Sequence, residues 1–270
     1  MSTRSIGFLG VLGVAAVAVL IGNARVPQNN NTRAQRPRFH DINRMVAQHP
    51  ENGTSQSTNW SGYAALGSGF TRAVGSWVVP AATCSSGSQY ASFWVGIDGY
   101  GSGTVEQLGT EDDCTGATPS YHAWYEFCCK EPEITISNFP VKPGDVIAAV
   151  VSYNGSGFVL AIKNVTTGQT YKKTGNIAGA QRASAEWIAE APSSGGVLPL
   201  TNFGTMVFGK DSTGVAGTNT ATLGGVTSPI GRFPTFYQIT MVNGSGNPKA
   251  VPSILSTDLT SFSDTWVASQ

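Results

Sequence analysis

The sequence predicts an all-β protein, a large antiparallel sandwich or barrel. From Asn59 onward, about thirteen short apolar or alternating segments follow one another, as expected for strands. No segment of ten or more residues in this region carries the period of an amphipathic helix. Turn sequences separate the segments, and the NGSG sequence at 154–157 is a strong hairpin signal. Many short strands without helices are typical of sandwiches and barrels.

The composition agrees with one large β domain. Glycine accounts for 33 of the 270 residues, and only 12% of residues are charged, where about 25% is usual. A single sandwich of more than 200 residues is ordinary for all-β proteins. Because few ion pairs are available to be lost when carboxylates protonate, we expect the domain to be stable in acid.

The N-terminus has the pattern of a secretory signal peptide. Arg4 precedes the apolar run Ile6–Gly22, which ends in the small residues Gly22 and Ala24. A positive start, an apolar stretch and a small-residue exit predict a signal peptide over residues 1–24 and a secreted protein. An uncleaved membrane anchor is the alternative, although 17 residues is at the low edge for a membrane span.

Residues 25–53 differ in charge from the rest. Five arginines lie between residues 25 and 50 with Asp41 as the only acidic residue, whereas residues from 52 onward hold ten lysines and arginines against 14 acidic residues, a formal charge of −4 by subtraction. The predicted domain, residues 54–270, therefore lacks the basic stripe that a nucleic-acid partner requires. The basic segment is either a linker, which its polar composition favours, or a pro-segment. In the second case its arginines, with His40 and His49, would pair with an acidic cleft and release it when carboxylates protonate.

Two carboxylates stand out in the segment SAEWIAEAP, residues 184–192. In a strand that ends at Pro192, the period of two places Glu186, Ile188 and Glu190 on one face. Neighbouring carboxyls in an apolar setting have raised pKa values, because burial and like charge disfavour ionisation. A surface strand with two solvated glutamates has the same spacing, so the other segments must decide between these interpretations.

The cysteines and histidines restrict the chemistry. Disulfides are expected in an exported chain. Cys128 and Cys129 should point to opposite faces of a strand, so we expect them not to bond each other, and Cys84 and Cys114 could each meet one of them. A zinc site is a poor alternative, because the spacing is wrong and His122 is the only histidine beyond residue 53. We find no nucleophile elbow, phosphate-binding loop or dinucleotide fingerprint, and we predict no cofactor and no metal.

Four segments, read in order, resemble one family. They are NWSG at 59–62, FWVGIDG at 93–99 followed by VEQLG at 105–109, YHAWYE at 121–126 and AEWIAE at 185–190. This series resembles the glutamic peptidases, or eqolisins, of fungi and some prokaryotes. The resemblance runs from about residue 57 to the C-terminus, although the last 60 or so residues match only in being β-rich.

The resemblance implies a sandwich of two long antiparallel sheets with a substrate cleft on the concave face of one. It implies an endopeptidase that acts on polypeptides at acid pH. Carried over by motif, Gln107 and Glu190 are the catalytic pair, Trp60 lines the cleft and Asp98 supports it. The glutamate of YHAWYE is Glu126, a further site residue.

The chain departs from the family at one position. His122 stands where the family commonly has aspartate, so acid pH would place a cation there. Strand alternation puts His122, Trp124 and Glu126 on one polar and aromatic face, the kind that lines a cleft. Glu186 is either a partner of the site or an exposed residue, and we interpret Trp94 as core packing.

The residue types fit amide hydrolysis. Glu190 as a carboxylate can take a proton from water and later give it to the leaving nitrogen. Gln107 offers an uncharged N–H donor to the developing oxyanion. Glu106 must face away from Gln107 on a strand, so we exclude it.

Two other interpretations remain open. A glycoside hydrolase or carbohydrate-binding sandwich would use Glu186 and Glu190, which a strand places about 6.5–7 Å apart, but it gives Gln107 no role. A non-catalytic secreted sandwich would be favoured if Glu190 were buried and ion-paired away from any cleft. We expect a monomer.

Overall fold

The computed structural model describes residues 37–129 and 131–270. The predicted signal peptide and the first part of the basic segment lie outside the described residues. The described chain is almost entirely strand, with one four-residue helix, α1, at Lys210–Thr213. The strands are β1 Met45–His49, β2 Thr54–Ser57, β3 Trp60–Leu66, β4 Phe70–Val78, β5 Ser88–Ile97, β6 Val105–Thr115, β7 Thr118–Cys128, β8 Ile134–Thr135, β9 Val146–Tyr153, β10 Phe158–Asn164, β11 Thr170–Gly175, β12 Ser184–Glu190, β13 Thr205–Phe208, β14 Thr220–Leu223, β15 Val226–Pro229, β16 Thr235–Val242, β17 Pro248–Pro252 and β18 Phe262–Trp266.

The strands form two long sheets that join at one edge. The first, the cleft sheet, has the order β1-β2-β16-β3-β12-β5-β6-β7-β8. The second has the order β11-β10-β9-β4, and β4 pairs in turn with β14 and β13. Strands β13, β18 and β17 continue from β4 to β16 and connect the two sheets. Among the named pairs of the described chain, β2 with β16 is parallel and the others are antiparallel, so the predicted all-β antiparallel class is confirmed.

Strand β12 shows how the sequence divides its side chains between two environments. Trp187 and Ala189 pack into the core between the sheets. Ile188 belongs to a second apolar cluster on the opposite face, with Trp60, Trp94 and Trp124. The period of two in the sequence thus separates the sandwich core from the floor of a cleft. Each fully buried aromatic side chain contributes about 1.5–3 kcal/mol relative to an exposed one.

The register brings the candidate residues close together. Glu190 on β12 lies opposite Trp60 on β3 and Ser92 on β5, and Gln107 on β6 lies opposite Glu126 on β7. Gly62 on β3 has a φ of +130°, and a Cβ there would lie 2.2 Å from the Trp187 carbonyl oxygen. Glycine at this position therefore allows the close approach of β3 to β12.

The cysteine prediction was wrong. Cys84 and Cys114 are joined to each other, with their Cα atoms 5.4 Å apart, and Cys128 is joined to Cys129. Cys84 lies in the loop before β5, and Cys114 lies opposite Gln89 near the start of that strand, so these two cysteines meet. Cys128 lies opposite Val105, at the other end of β6 from Cys114.

The basic segment is part of this architecture where it is described. Strand β1 pairs with β2 at the edge of the cleft sheet, and Phe39 exchanges two backbone hydrogen bonds with Ser193, at 3.0 and 2.9 Å. The boundary at residue 54 stays a prediction. Within the described residues, we find no helix of the length and apolar character needed to cross a membrane.

Asp264 makes stability depend on pH. Its carboxyl is fully buried on β18 and accepts a hydrogen bond from Ser61 Oγ at 3.0 Å. Burial raises the pKa of Asp264 from 3.8 to about 8, against the opposing effect of the Ser61 hydrogen bond. Folding thus favours the protonated acid, and this contribution to stability is complete below about pH 4 and lost as the pH rises to about 8.

We predict that Asp264→Asn reduces the loss of unfolding free energy between about pH 5 and about pH 8, by up to about 1.4 kcal/mol per pH unit. Urea unfolding followed by tryptophan fluorescence at both pH values measures this slope. Asp258→Asn is the control, because hydrogen bonds from Ser256 and Thr260 lower the pKa of that exposed carboxyl. An unchanged slope in Asp264→Asn would show that Asp264 is already ionised in the folded protein.

Candidate active site

Gln107 and Glu126 form a buried pair on adjacent strands. Gln107 Nε2 donates to Glu126 Oε2 at 3.0 Å, and both side chains are almost completely buried. Gln107 Oε1 and Glu126 Oε1 have no hydrogen-bond partner among the described residues. Burial raises the pKa of Glu126 well above its usual range, although the nearby His40 opposes this. The pair therefore presents an uncharged N–H donor and two free acceptor atoms on the cleft face.

Glu190 ends β12 on the same face of the sheet. Trp94 Nε1 donates to its Oε2 at 2.8 Å, while Oε1 has no partner within the described part of the chain. Burial raises the pKa of Glu190 to about 7, against the opposing effects of His40 and Trp94. Trp94, which we interpreted as core packing, also orients this carboxyl. Strand alternation puts Trp94 on the same face of β5 as Asp98, a predicted site residue, and this could have indicated a role in the cleft.

A stretch of the basic segment, residues 38–44, lies across the cleft, and we call it the cleft segment. The backbone N–H of His40 donates to Glu126 Oε2 at 3.0 Å, and the His40 carbonyl oxygen accepts from Gln107 Nε2 at 2.7 Å. The next carbonyl, that of Asp41, accepts from Trp60 Nε1 at 3.0 Å. Three of the predicted site residues thus hold one stretch of peptide backbone.

The His40 side chain is fully buried beside the Gln107–Glu190 pair. Its ring stacks on Trp124, with centroids 3.6 Å apart and planes inclined by 17°. Nε2 lies 2.7 Å from Glu133 Oε2, and Nδ1 lies 3.5 Å from Glu190 Oε2. Burial by itself would lower the pKa of His40, but the contacts with Glu133 and Glu190 outweigh it and raise the pKa to about 10.

An acidic group surrounds Arg38 at the outer end of the cleft. The guanidinium lies 2.9 Å from Glu111 Oε1, 2.6 Å from Asp113 Oδ2 and 3.1 Å from Glu133 Oε1. It also lies over the Tyr90 ring, 5.0 Å from the centroid. These contacts lie within the range of charge-assisted hydrogen bonds and cation–π pairs.

His122 faces the same acidic group from β7. Its Nε2 lies 3.4 Å from Glu111 Oε2 and 3.7 Å from Glu133 Oε1. Sequence reasoning did not identify Glu111, Asp113 or Glu133. Alternation from Gln107 places residues 111 and 113 on its face and could have identified two of them. Glu133 lies between β7 and β8, outside any strand, and no pattern marked it.

Two further predicted residues, Asp98 and Glu186, make no contact with Gln107 or Glu190. Asp98 accepts backbone N–H groups from Gln181, Arg182 and Ala183 at 2.8, 2.6 and 2.8 Å, and so fixes the loop that leads into β12. Glu186 is buried, not exposed, and burial raises its pKa well above the usual range. Ile188 separates it along β12 from Glu190.

The fold and the cleft define a β-sandwich that carries a buried glutamine–glutamate pair on the outer face of one sheet. The family model described as the Peptidase A4 family matches residues 58–244. The chain belongs to this family, and the resemblance to glutamic peptidases is confirmed.

Individual relatives agree with this assignment. Aspergillopepsin-2 of Aspergillus niger is 33% identical over 185 residues, which is 58% of this chain and 65% of that protein. The chain thus spans less than two thirds of that relative's length.

Three solved structures are similar. Scytalido-glutamic peptidase with a transition state analog inhibitor has a TM-score of 0.64 and 23% identity, over 78% of this chain and 98% of that one. SCP-B, a member of the eqolisin family, in complex with the tripeptide Ala-Ile-His has a TM-score of 0.59 and 26% identity, over the same shares of 78% and 98%. Aspergilloglutamic peptidase from Aspergillus niger has a TM-score of 0.56 and 28% identity, over 66% and 99%.

Asp98 provides a test of how β12 is positioned. We predict that Asp98→Ala lowers the free energy of unfolding by about 2–4 kcal/mol, because partly buried backbone N–H groups lose their acceptor. Asp98 also has a φ of +72°, where alanine is disfavoured and asparagine is tolerated. Asp98→Asn is therefore the matched variant, since it keeps one acceptor oxygen and the backbone conformation. Equal unfolding free energies for the two variants in urea titrations would contradict this role.

Proposed function

We propose that the protein is a glutamic endopeptidase that hydrolyses polypeptides at acid pH, with Glu190 as general base and acid and Gln107 as oxyanion donor. The observation that carries the proposal is the contact of 2.7 Å between Gln107 Nε2 and a peptide carbonyl, that of His40. The Glu190 carboxyl lies beside the same residue, 3.5 Å from its ring. Amide hydrolysis requires a donor to the carbonyl oxygen and a base nearby, and the residue whose carbonyl contacts Gln107 also has its side chain beside Glu190.

The proposed reaction has two steps. Once the cleft segment has left, water solvates Glu190 and relieves the burial that raises its pKa. Glu190 as carboxylate then takes a proton from water, the water oxygen bonds to the substrate carbonyl carbon, and the Gln107 N–H stabilises the oxyanion. The protonated Glu190 then gives its proton to the amide nitrogen as the C–N bond breaks, which regenerates the carboxylate. Glu126, Gln107 and Trp60 would hold the substrate backbone as they hold residues 40–41. Similar proteins were solved with a transition state analog inhibitor and with a tripeptide.

We also propose that the protein is secreted as a latent precursor and that residues 25–53 are its pro-segment. The signal-like N-terminus and the Cys84–Cys114 disulfide support export. The cleft segment supports latency. His40 Nδ1 lies 3.5 Å from Glu190 Oε2, so the imidazole takes a place beside this oxygen that a catalytic water and a substrate would need.

Variants of the catalytic pair test the reaction. We predict that Gln107→Ala lowers kcat by about 10²–10³ and Glu190→Gln by at least about 10³, measured on a denatured protein substrate in acid after the pro-segment is removed. Glu186→Gln should keep most of the activity, because Glu186 makes no contact with Gln107 or Glu190. A glycan-cleaving enzyme would instead need Glu186 and tolerate the loss of Gln107. Proteolysis that survives in Gln107→Ala and Glu190→Gln would refute the proposal.

Latency has its own test. We predict that the uncut His40→Ala chain hydrolyses a fluorogenic peptide at least about ten times faster than the uncut wild-type chain, since removing a buried charged partner weakens such a contact by several kcal/mol. His49→Ala is the matched control, because His49 is half exposed and contacts Glu51 at 3.5 Å. Gel samples taken with each rate ensure that intact chains are compared. Equal rates in His40→Ala and His49→Ala would exclude His40 as the blocking residue.

A further inference from the structure

The cleft segment is held in the cleft by its backbone, in the manner of an added strand. Phe39 and Ser193 form an antiparallel bridge, and the Arg38 carbonyl oxygen accepts from the Glu133 N–H at 3.1 Å. The His40 carbonyl oxygen contacts the amide of the proposed catalytic pair at 2.7 Å. Almost every polypeptide offers these backbone groups, so a substrate that binds in the same way would follow the same course through the cleft.

This course determines which substrate side chain meets the acidic group. In an extended chain, residues two apart lie on the same side, and both Arg38 and His40 do reach Glu133, at 3.1 and 2.7 Å. In the proposed reaction, the bond that is cut follows the residue whose carbonyl contacts Gln107. The place of the Arg38 side chain therefore belongs to the third residue before the scissile bond.

The acidic group fits a guanidinium closely. Carboxyl oxygens of Glu111, Asp113 and Glu133 lie 2.9, 2.6 and 3.1 Å from the two terminal nitrogens of Arg38. The Tyr90 ring lies 5.0 Å from the central carbon of the same group. A guanidinium is planar, offers donors in several directions and stacks on aromatic rings, whereas a lysine ammonium offers its three donors from one atom.

The acidic group keeps acceptor atoms and charge that need a cation. Glu111 is fully buried, and its Oε2 has no hydrogen-bond partner among the described residues, nor does Asp113 Oδ1. Once the cleft segment leaves, these carboxyls also lose Arg38. Like charges out of solvent are strongly unfavourable without a counter-charge, so a substrate cation would restore the compensation.

Part of this charge persists in acid. Burial by itself would raise the pKa of Glu133, but contacts with His122 and His40 outweigh it and hold the pKa well below its usual range. His122 belongs to β7 and stays when the cleft segment leaves. We therefore expect Glu133 to remain a carboxylate under the conditions of the proposed reaction.

We propose that Glu111, Asp113, Glu133 and Tyr90 form a subsite for an arginine side chain, and that the protein prefers polypeptides with arginine at the third position before the scissile bond. The subsite rests on the proposed peptidase activity and extends it by naming the polypeptides that bind best. In the uncut chain, Arg38 occupies this subsite.

Binding to the intact full-length chain tests the subsite without proteolysis. Arg38→Ala vacates the acidic group, and N-acetylarginine amide is added, with N-acetylcitrulline amide as its uncharged isostere. We expect the arginine compound to bind this variant at least about ten-fold more tightly in an NMR titration, because the carboxylates recover a cation. The wild-type chain, in which Arg38 fills the subsite, should bind neither compound.

Two second substitutions assign the selectivity to the acidic group. Asp113→Asn, added to Arg38→Ala, should remove most of the preference for arginine over citrulline, since Asp113 makes the contact of 2.6 Å. Glu131→Gln is the matched control, because Glu131 is exposed, and it should leave the preference unchanged. Circular dichroism shows whether each variant folds.

Cleavage kinetics place the subsite along the substrate. Two quenched fluorescent peptides differ only in arginine or citrulline at the third position before the bond cut, which mass spectrometry identifies. With the enzyme activated in acid, we expect the arginine peptide to have a kcat/KM at least about ten-fold higher, and Asp113→Asn to lower this ratio. Glu131→Gln should keep the ratio. Because both peptides meet the same enzyme, the ratio does not depend on how much of it is folded.

The opposite results overturn the proposal. Equal affinity of the two compounds for Arg38→Ala, or equal kcat/KM for the two peptides, would leave the acidic group without a role in substrate binding. Proteolysis without this selectivity would refute only the subsite. Selective binding without proteolysis of either peptide would refute the proposed function and leave the acidic group as an anchor of the cleft segment alone.

Discussion

The cleft depends on how the protein compensates carboxyl groups that it has buried. Glu111, Glu126 and Glu190 lie almost completely out of solvent on the outer face of the cleft sheet, with Glu133 beside them. An uncompensated charge in such a place disfavours folding by several kcal/mol, so each carboxyl must protonate or find a cation or donor. The cleft segment supplies Arg38 and His40. The contact that covers the cleft is therefore also the contact that stabilises its charges, and without the segment these carboxyls have to be solvated or protonated.

Much of the site follows from strand alternation, which the sequence displays. The face that carries Glu190 and Ile188 on β12 is the cleft face, and alternation along β7 brings His122, Trp124 and Glu126 to the same side. Glu106 faces away from Gln107 for the same reason. Alternation is local and depends only on the extended backbone, so one sequence is enough to predict it.

The parts that were not predicted depend on contacts between distant segments. Alternation along β5 places the Trp94 side chain on the cleft face. Only the register between β5 and β12 shows that its ring nitrogen reaches Glu190. Glu133 lies outside a strand, and its role follows from the backbone hydrogen bond of 3.1 Å that it donates to Arg38. The cysteine prediction failed because only the register shows that Cys114 lies at one end of β6 and Cys128 lies opposite the other end. For the basic segment, composition favoured a linker and the charges suggested a pro-segment. Arg38 and His40 contact acidic side chains of the cleft, and the assignment as a pro-segment stays a prediction.

The contacts of the cleft segment fall into two groups. Glu126, Gln107 and Trp60 bind backbone N–H and C=O groups, which every polypeptide offers, so these contacts carry no sequence preference. The contacts of the His40 ring with Trp124, Glu133 and Glu190 depend on the imidazole and place it against the carboxyl that we propose to be catalytic. Under the proposed mechanism, the first group positions a carbonyl on Gln107 as a substrate would be positioned, and the second places an imidazole beside Glu190 Oε2, where it would compete with the attacking water. A segment that used only the first group would be an ordinary substrate. In the proposed latent precursor, the side chain of one residue, His40, is therefore what would make the bound backbone an inhibitor, and its contact with Glu133 at 2.7 Å holds the ring in place.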